Sequence, residues 1–528
     1  MSARRRGRAR AARTASAPLP RTDEGRRRWS VGVALLAAVL VAGAAVRAWL
    51  ALTDDGIFWP DEIYQSLEPA HKIVFGTAIM PWEFLLGART WAFPGLIAVV
   101  LKVVDLVGLR DPRGYIDAVK LLFSALSVAT AWAAYRLARG YGASSLAAAA
   151  GASLFALAAL PIYFAPRAFS ESASILPATL GLALLLPPGL TRRRRLVGAA
   201  LLGLSVVLRL QNVILGLGAI GVLVWRRRND DARDAAIVLA GWAAVYGLLD
   251  LVTWGGLFAS IPLYIAVNVG VINFTNTFGA AVVRSLPQWF YPPPYFFAQY
   301  LLVSMGLPFV VAVVLALFSA RRAPGLALIA LAYFVVHSFI PHKELRFVLP
   351  DLPLLGALAA IGIDEAPALL RCGASWLSPA LAAALVVASM VSGAGFHQLT
   401  FAELGIQGNR LVAGPQEDLR TSKTPDSSAF DDPGDVNRLL LVAHGLPDLC
   451  GIKVEAVLPE FQGGYTYLDR NVPLYRLGGP PRTSTFYNYA IVLKGTEAGA
   501  EVRASEGGMS LIKLRNSCTV DPKFDTQL

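Results

Sequence analysis

The sequence predicts a mainly α-helical, polytopic membrane body of about eleven transmembrane helices, with a small extracytoplasmic α/β domain at the C-terminus. Three observations predict it. The 528 residues are 55% hydrophobic and only 16% charged, whereas soluble domains carry about 25% charged residues. Apolar stretches of bilayer-crossing length recur from Ser30 to about residue 395. Beyond about 396 short apolar runs alternate with turns. This composition excludes a disordered chain, and three cysteines exclude a disulfide-rich secreted scaffold.

Ser30–Leu52 is the first span. No small-residue cleavage site precedes Asp54, so it reads as an anchor and not a removed signal peptide. Ten of the first 30 residues are arginines, which makes 1–29 a basic cytoplasmic tail. Further spans are expected near 115–137, 143–163, 172–190, 196–209, 212–225, 233–253, 297–319, 324–340, 347–363 and 376–395. Arg136 and Arg139, Arg192–Arg195, Arg226–Arg228, Arg321–Arg322 and Arg371 then all fall on the cytoplasmic side. The net charge of +12 is therefore topogenic. Nucleic acid is not an expected partner, since no basic stripe with interleaved aromatics appears. Trp91–Leu109, interrupted by Lys102 and Asp105, is expected to lie along the outer membrane surface. The short pair 196–209 and 212–225, with Arg209, Gln211 and Asn212 at its turn, is expected to line a cavity.

This topology makes 30–396 the membrane body, with extracytoplasmic loops at 53–114 and 254–296. The second loop contains Trp289-Phe290-Tyr291. Residues 397–437 read as a linker and 438–528 as the outer α/β domain. Cys450 and Cys518 lie in that domain. They are either bridged, if the compartment is oxidising, or free; Cys372 reads as a free thiol near the cytoplasmic face.

Two polar constellations sit at the outer membrane edge. Pro60-Asp61-Glu62 places adjacent carboxylates after the first span, fit for a base, a ligand or plain loop charges. Pro341-His342-Lys343-Glu344-Leu345-Arg346-Phe347 gathers cations on the side where positive charge is disfavoured, and an anion ligand would account for them. Facing each other, a carboxylate and a cation cluster suit a lipid-phosphate sugar donor and an acceptor hydroxyl. The base takes the hydroxyl proton, and the cations stabilise the departing phosphate.

The run Trp59-Pro60-Asp61-Glu62-Ile63-Tyr64-Gln65-Ser66-Leu67-Glu68, with Ala70-His71, Phe75-Gly76, Pro81-Trp82-Glu83-Phe84 and Arg89, resembles the first luminal loop of the polytopic mannosyltransferases of glycosyltransferase family 22. Those enzymes build glycosylphosphatidylinositol anchors and dolichol-linked oligosaccharides. His342-Lys343-Glu344-Leu345-Arg346-Phe347 is similar to the same family's HKExRF motif. Arg167-Ala168-Phe169-Ser170-Glu171-Ser172, Leu208-Arg209, and Asp250 with Trp254-Gly255 and Asn268 match more loosely. Phe84 stands where the family has a second Trp.

The resemblance implies a GT-C fold and an inverting transfer of mannose or another hexose. It implies a polyprenyl- or dolichyl-phosphate donor, a lipid-linked glycan acceptor, and neither nucleotide cofactor nor metal. Under it, Asp61 is the expected general base, with Glu62 orienting it or exchanging roles with it. His342, Lys343 and Arg346 hold the donor phosphate. Glu68, His71, Trp82, Glu83, Glu344, Arg167, Arg209 and Asp250 are expected to shape the substrate cavity. The Ala- and Arg-rich composition points to a bacterial plasma membrane with the site extracytoplasmic; a eukaryotic chain would sit in the endoplasmic reticulum. Two alternatives stay open: a transporter or flippase of lipid-linked sugars, and a GT-C transferase using another sugar or a protein acceptor. Internal repeats, the mark of many transporters, are not evident.

Overall fold

The computed structural model describes residues 23–57, 59–269, 292–371, 373–405, 426–430, 434–457 and 461–525. The basic tail up to residue 22, Trp289-Phe290-Tyr291, Cys372 and the 406–425 part of the expected linker lie outside the described residues.

The described part of the membrane body is built from helices. Val31–Thr53, Pro112–Gly140, Asn229–Trp254, Asp351–Leu369 and Leu377–Ala394 are long and apolar enough to cross a bilayer. Ser145–Leu157, Ser170–Leu185, Leu210–Trp225 and Pro324–Phe339 are shorter apolar helices. The expected straight span 297–319 is instead a pair, Phe296–Met305 and Leu307–Arg321, bent by 120°. Gly306, at φ 62°, makes the corner, and Pro308 follows in the next helix's first turn. A positive φ is cheap only for glycine, and a proline at a helix start gives up no needed donor. This is a multi-pass membrane protein.

Where helices break, side chains satisfy the exposed backbone. Ser145–Leu157 ends at Ala158, whose backbone is extended. The carbonyls of Phe155 and Ala156 accept from the fully buried Arg47 at 2.8 and 2.5 Å, and Arg47 Nε donates to Ser127 Oγ at 3.0 Å. An arginine inside an apolar span is thus explained by the orphan carbonyls of its neighbour. Small residues let helices close up. A Cβ built at Gly151 would lie 2.2 Å from the Gly356 carbonyl oxygen, so the 145–157 and 351–369 helices touch backbone to backbone.

Ala92–Leu106 has 15 residues. At 1.5 Å per residue it is shorter than the roughly 30 Å apolar core.

The C-terminal unit packs a helix, Gly434–His444, against a five-stranded sheet. Its strands are β1 (Ile452–Val454), β2 (Leu474–Tyr475), β3 (Tyr489–Leu493), β4 (Glu501–Glu506) and β5 (Met509–Lys513), in the order β2-β1-β3-β5-β4. β1 pairs in parallel with β2 and β3, and β5 runs antiparallel to β3 and β4. Cys450 and Cys518 are bridged, tying the entry of β1 to the tail after β5.

This unit is bolted to the first loop. Val436, Leu439, Tyr465, Tyr467 and Leu511 share one buried cluster with Ile63, Tyr64, Leu67, Tyr115 and Ile116. Asn437 Nδ2 donates to the Asp55 carbonyl at 2.7 Å, and Tyr64 Oη to the Gln462 carbonyl at 3.0 Å.

Candidate active site

The site grows from the segment after the first span. Pro60 opens a helical run in which Ile63–Leu67 winds as a single π-turn before Glu68–Phe75 continues as α-helix. Neighbouring helical residues point about 100° apart, so consecutive carboxylates cannot share a direction. Asp61 and Gln65 face one cavity. Glu62 faces a second, smaller one on the other side, while Glu68 and His71 turn to the C-terminal unit.

The first cavity is open-mouthed, with charged groups set into a partly apolar wall. Asp61, Arg89, Glu171, Arg209 and Arg346 line it, with Tyr246, Tyr264, Phe84, Phe169 and Leu208 supplying aromatic and apolar surface. Asp61 and Arg346, 285 residues apart in sequence, form an ion pair. Arg346 Nε also bonds Glu344 Oε2 at 2.7 Å and lies 3.4 Å from Glu171 Oε1. Its guanidinium stacks on Phe169, 4.5 Å from the ring centroid. Burial works against its charge, but Glu344, Glu171 and Asp61 raise its pKa well above the ordinary arginine range.

Arg209 is positioned by a helix break. The Arg192–Leu208 helix ends on it in extended backbone, and Leu210–Asn212 turns into the next helix. Asn212 Nδ2 donates to the Ser205 carbonyl at 3.2 Å and holds this corner. Arg209 Nη1 lies 3.0 Å from Glu171 Oε1 and donates to Ser170 Oγ at 3.2 Å. The expected cavity-lining hairpin is therefore present.

The cation motif splits. Glu344 is extended, and Leu345–Val348 forms a 3₁₀ turn that swings Arg346 inward. His342 stays half-exposed, 3.4 Å from Glu344 Oε1. Lys343 Nζ donates to the Pro292 carbonyl at 2.8 Å, and burial lowers its pKa. Of the three cations expected at the phosphate, only Arg346 lines the cavity; Arg89 and Arg209 are the other two arginines there.

The remaining expected residues fall in three places. Glu83 lies behind the cavity wall, where its Oε1 accepts from Gln65 Nε2 at 2.8 Å and its Oε2 is buried without a hydrogen bond among the described residues. Burial, and then the nearby Asp61 carboxylate, raise the Glu83 pKa to about 7. Trp82, one residue earlier, is not part of the cavity lining. In the second cavity Glu62 pairs with Arg167 at 3.0 Å, and Arg167 also reaches Asp54 at 3.2 Å. Away from both cavities, Glu68 accepts from Thr466 N and Oγ1 at 2.5 and 2.7 Å, and His71 Nε2 is 3.2 Å from Asp469. Asp250 accepts from Ser260 N and Oγ at 2.9 and 2.7 Å and fixes the turn into Ser260–Asn268. These three do not line the main cavity in the described structure.

Sequence reasoning placed no site role on Arg89, Tyr246 or Tyr264. The Arg89 guanidinium stands 5.0 Å over the Tyr264 ring. Only Arg89 had a signal, its place at the end of the first-loop motif.

Known proteins agree with this architecture. The chain is 31% identical over 346 residues to GPI mannosyltransferase 3 of Yarrowia lipolytica, covering 64% of this chain and 64% of that one. It is 28% identical to mannosyltransferase APTG1 of Arabidopsis thaliana, over 59% of this chain and 55% of the relative. Against GPI mannosyltransferase 3 of Schizosaccharomyces pombe it is 25% identical, over 68% and 74%. The match thus spans under two thirds of the first two relatives' own lengths. In three dimensions it resembles ArnT from Cupriavidus metallidurans bound to undecaprenyl phosphate. The TM-score is 0.57 at 13% identity, over 92% of this chain and 99% of that one, so the GT-C fold is shared. The model of the Alg9-like mannosyltransferase family, glycosyltransferase family 22, matches residues 38–409, and the chain belongs to that family.

Proposed function

We propose that this protein is an inverting membrane mannosyltransferase, which moves a sugar from a polyprenyl- or dolichyl-phosphate donor to a hydroxyl of a lipid-linked glycan. The single observation that carries the reading is the meeting of Asp61 with Arg346 at one cavity wall. The names of the curated relatives, all mannosyltransferases, support the sugar. A lipid phosphate bound to the ArnT neighbour supports the donor class.

Asp61 takes the acceptor hydroxyl proton. The hydroxyl oxygen bonds to the sugar's anomeric carbon from the face opposite the phosphate, and the bond from that carbon to the phosphate oxygen breaks with its electron pair. Lipid phosphate leaves, and Arg346 stabilises the charge that develops on it. Arg346 starts out paired with Asp61, so a phosphate that draws the guanidinium away also unmasks the base. Lys343 and His342 sit behind Arg346 and fix the motif. Glu62 with Arg167, on the far side of the same helical run, orients Asp61.

In topology the proposal keeps about eleven spans, the site on the extracytoplasmic side, and Ala92–Leu106 along that surface. The Cys450–Cys518 bridge supports an oxidising compartment for residues 438–528.

The test is transfer by purified protein in proteoliposomes, given radiolabelled polyprenyl-phosphate-mannose and a membrane lipid extract. Label entering a larger glycolipid is expected. Label that crosses the bilayer without changing its chemical form would instead establish a transporter.

A further inference from the structure

Three arginines line the cavity, and their hydrogen-bonding states differ. Arg346 has both Nε and Nη2 on carboxylates. The Arg89 guanidinium covers the Tyr264 ring. Arg209 is held by one corner and one face. Its Nη1 is fixed by Glu171 and Ser170, and Phe347 packs against the guanidinium, 4.8 Å from the ring centroid. Its other two nitrogens, Nε and Nη2, are buried and have no hydrogen-bond partner among the described residues. These two N–H groups lie side by side along one edge of the plane. They form the fork that grips two oxygens of a phosphate or carboxylate.

Arg209 is only 4% exposed, and that edge of its guanidinium does not meet bulk water. Leaving two charged donors unmet there costs stability. Nor is the side chain free to swing to another partner, because the helix break, Glu171, Ser170 and Phe347 fix its plane. An arginine locked in position with its fork unpaired among the described residues is built for a ligand that brings two anionic oxygens. The rest of the cavity narrows the choice. Leu208, Leu210 and Val207 adjoin Arg209 along the wall, an apolar flank beside the fork that suits an anion attached to a lipid.

We propose that the Nε/Nη2 edge of Arg209 is the ground-state anchor of the donor's phosphodiester, with the lipid leaving along Val207, Leu208 and Leu210. This deepens the transferase reading and rests on it. It also divides the labour between two arginines. Arg209 holds the phosphate before reaction. Arg346, already neutralised by Asp61 and Glu344, meets the extra charge that appears as the sugar departs. Removing Arg209 therefore weakens binding, and removing Arg346 slows turnover.

The experiment measures binding to full-length protein in detergent without acceptor, using a polyprenyl-phosphate-mannose phosphodiester and, as control, the matching uncharged polyprenol. Wild-type protein is expected to prefer the phosphate by at least about tenfold. Arg209→Lys keeps the charge and loses the fork, and is expected to lose about tenfold in phosphate affinity with polyprenol binding unchanged. Arg346→Lys is expected to keep phosphate affinity within about threefold while kcat falls. Wild-type affinity in Arg209→Lys overturns the proposal and leaves the transferase reading standing if transfer is seen. A wild-type protein with no preference for the phosphate and no transfer overturns both. If Arg209→Lys does not fold, Ser170→Ala removes one tether of the guanidinium. About threefold weaker phosphate binding is then expected, and unchanged binding overturns the proposal.

Discussion

Asp61 and Glu83 show how one cavity wall gives two carboxylates different tasks. Asp61 faces the cavity and an arginine. Glu83 lies behind it, buried, with one oxygen unbonded among the described residues and its pKa raised to about 7 from an ordinary 4.5. Because the folded value lies above the unfolded one, the native state binds the extra proton between these limits. The stability this contributes is fully present below about 4.5 and is lost as pH rises through about 7. Glu83→Gln, which mimics the neutral carboxyl, is expected to flatten that dependence and to be more stable than wild type above pH 7, by at most about 3 kcal/mol. Thermal melting of both proteins across this range checks it; parallel curves would contradict it. The first-loop motif marked Glu83 as functional, but only the packing shows that it lies behind the wall. Identity was legible at this scale, and direction was not: Asp61, Glu62 and Glu68 look alike in the sequence and face three different environments.

At the scale of elements, the site is held by places where helices stop or touch. The Ser145–Leu157 and Asp351–Leu369 helices meet through Gly151 and Gly356, and the second of these helices begins five residues after Arg346. Gly151→Val puts a side chain where the Gly356 carbonyl lies. A loss of at least about 2 kcal/mol is expected, with Arg346 displaced and transfer reduced. Melting and transfer rates of purified protein check both, and a variant as stable and active as wild type would contradict the contact. Long apolar helices were legible because hydrophobicity over some 20 residues is a strong signal. The 120° corner at Gly306 was not, since Gly-Leu-Pro inside an apolar run reads equally as part of a straight span. In the C-terminal unit, Ile452–Val457, Ala490–Leu493 and Ser510–Leu514 read as apolar runs and overlap β1, β3 and β5. Edge strand β4, Glu-Val-Arg-Ala-Ser-Glu, does not read as one, because most of its side chains are exposed and an edge strand has little to bury.

Across the whole molecule, the C-terminal unit and the membrane body share a core that backs the Asp61 segment. Glu68, Tyr64 and Tyr115 all bond into residues 462–466. The Cys450–Cys518 bridge closes a separation of 68 residues. Cys450→Ser with Cys518→Ser is expected to lose about 2–4 kcal/mol of C-terminal-unit stability and to lower transfer by loosening Asp61. Limited proteolysis alongside the transfer assay reads both, and unchanged protease resistance would contradict the role. Membrane class, the C-terminal α/β unit and the two motifs were legible in the amino-acid sequence. Their convergence was not, because 285 residues separate Asp61 from Arg346 and only the packing of the helices between them closes the distance. The most direct test is a single-turnover measurement with purified Asp61→Asn, with donor and acceptor both saturating. Normal insertion and donor binding are expected, with transfer at least about 10²-fold slower. Transfer at the wild-type rate would remove Asp61, and with it the paired site, from the chemistry.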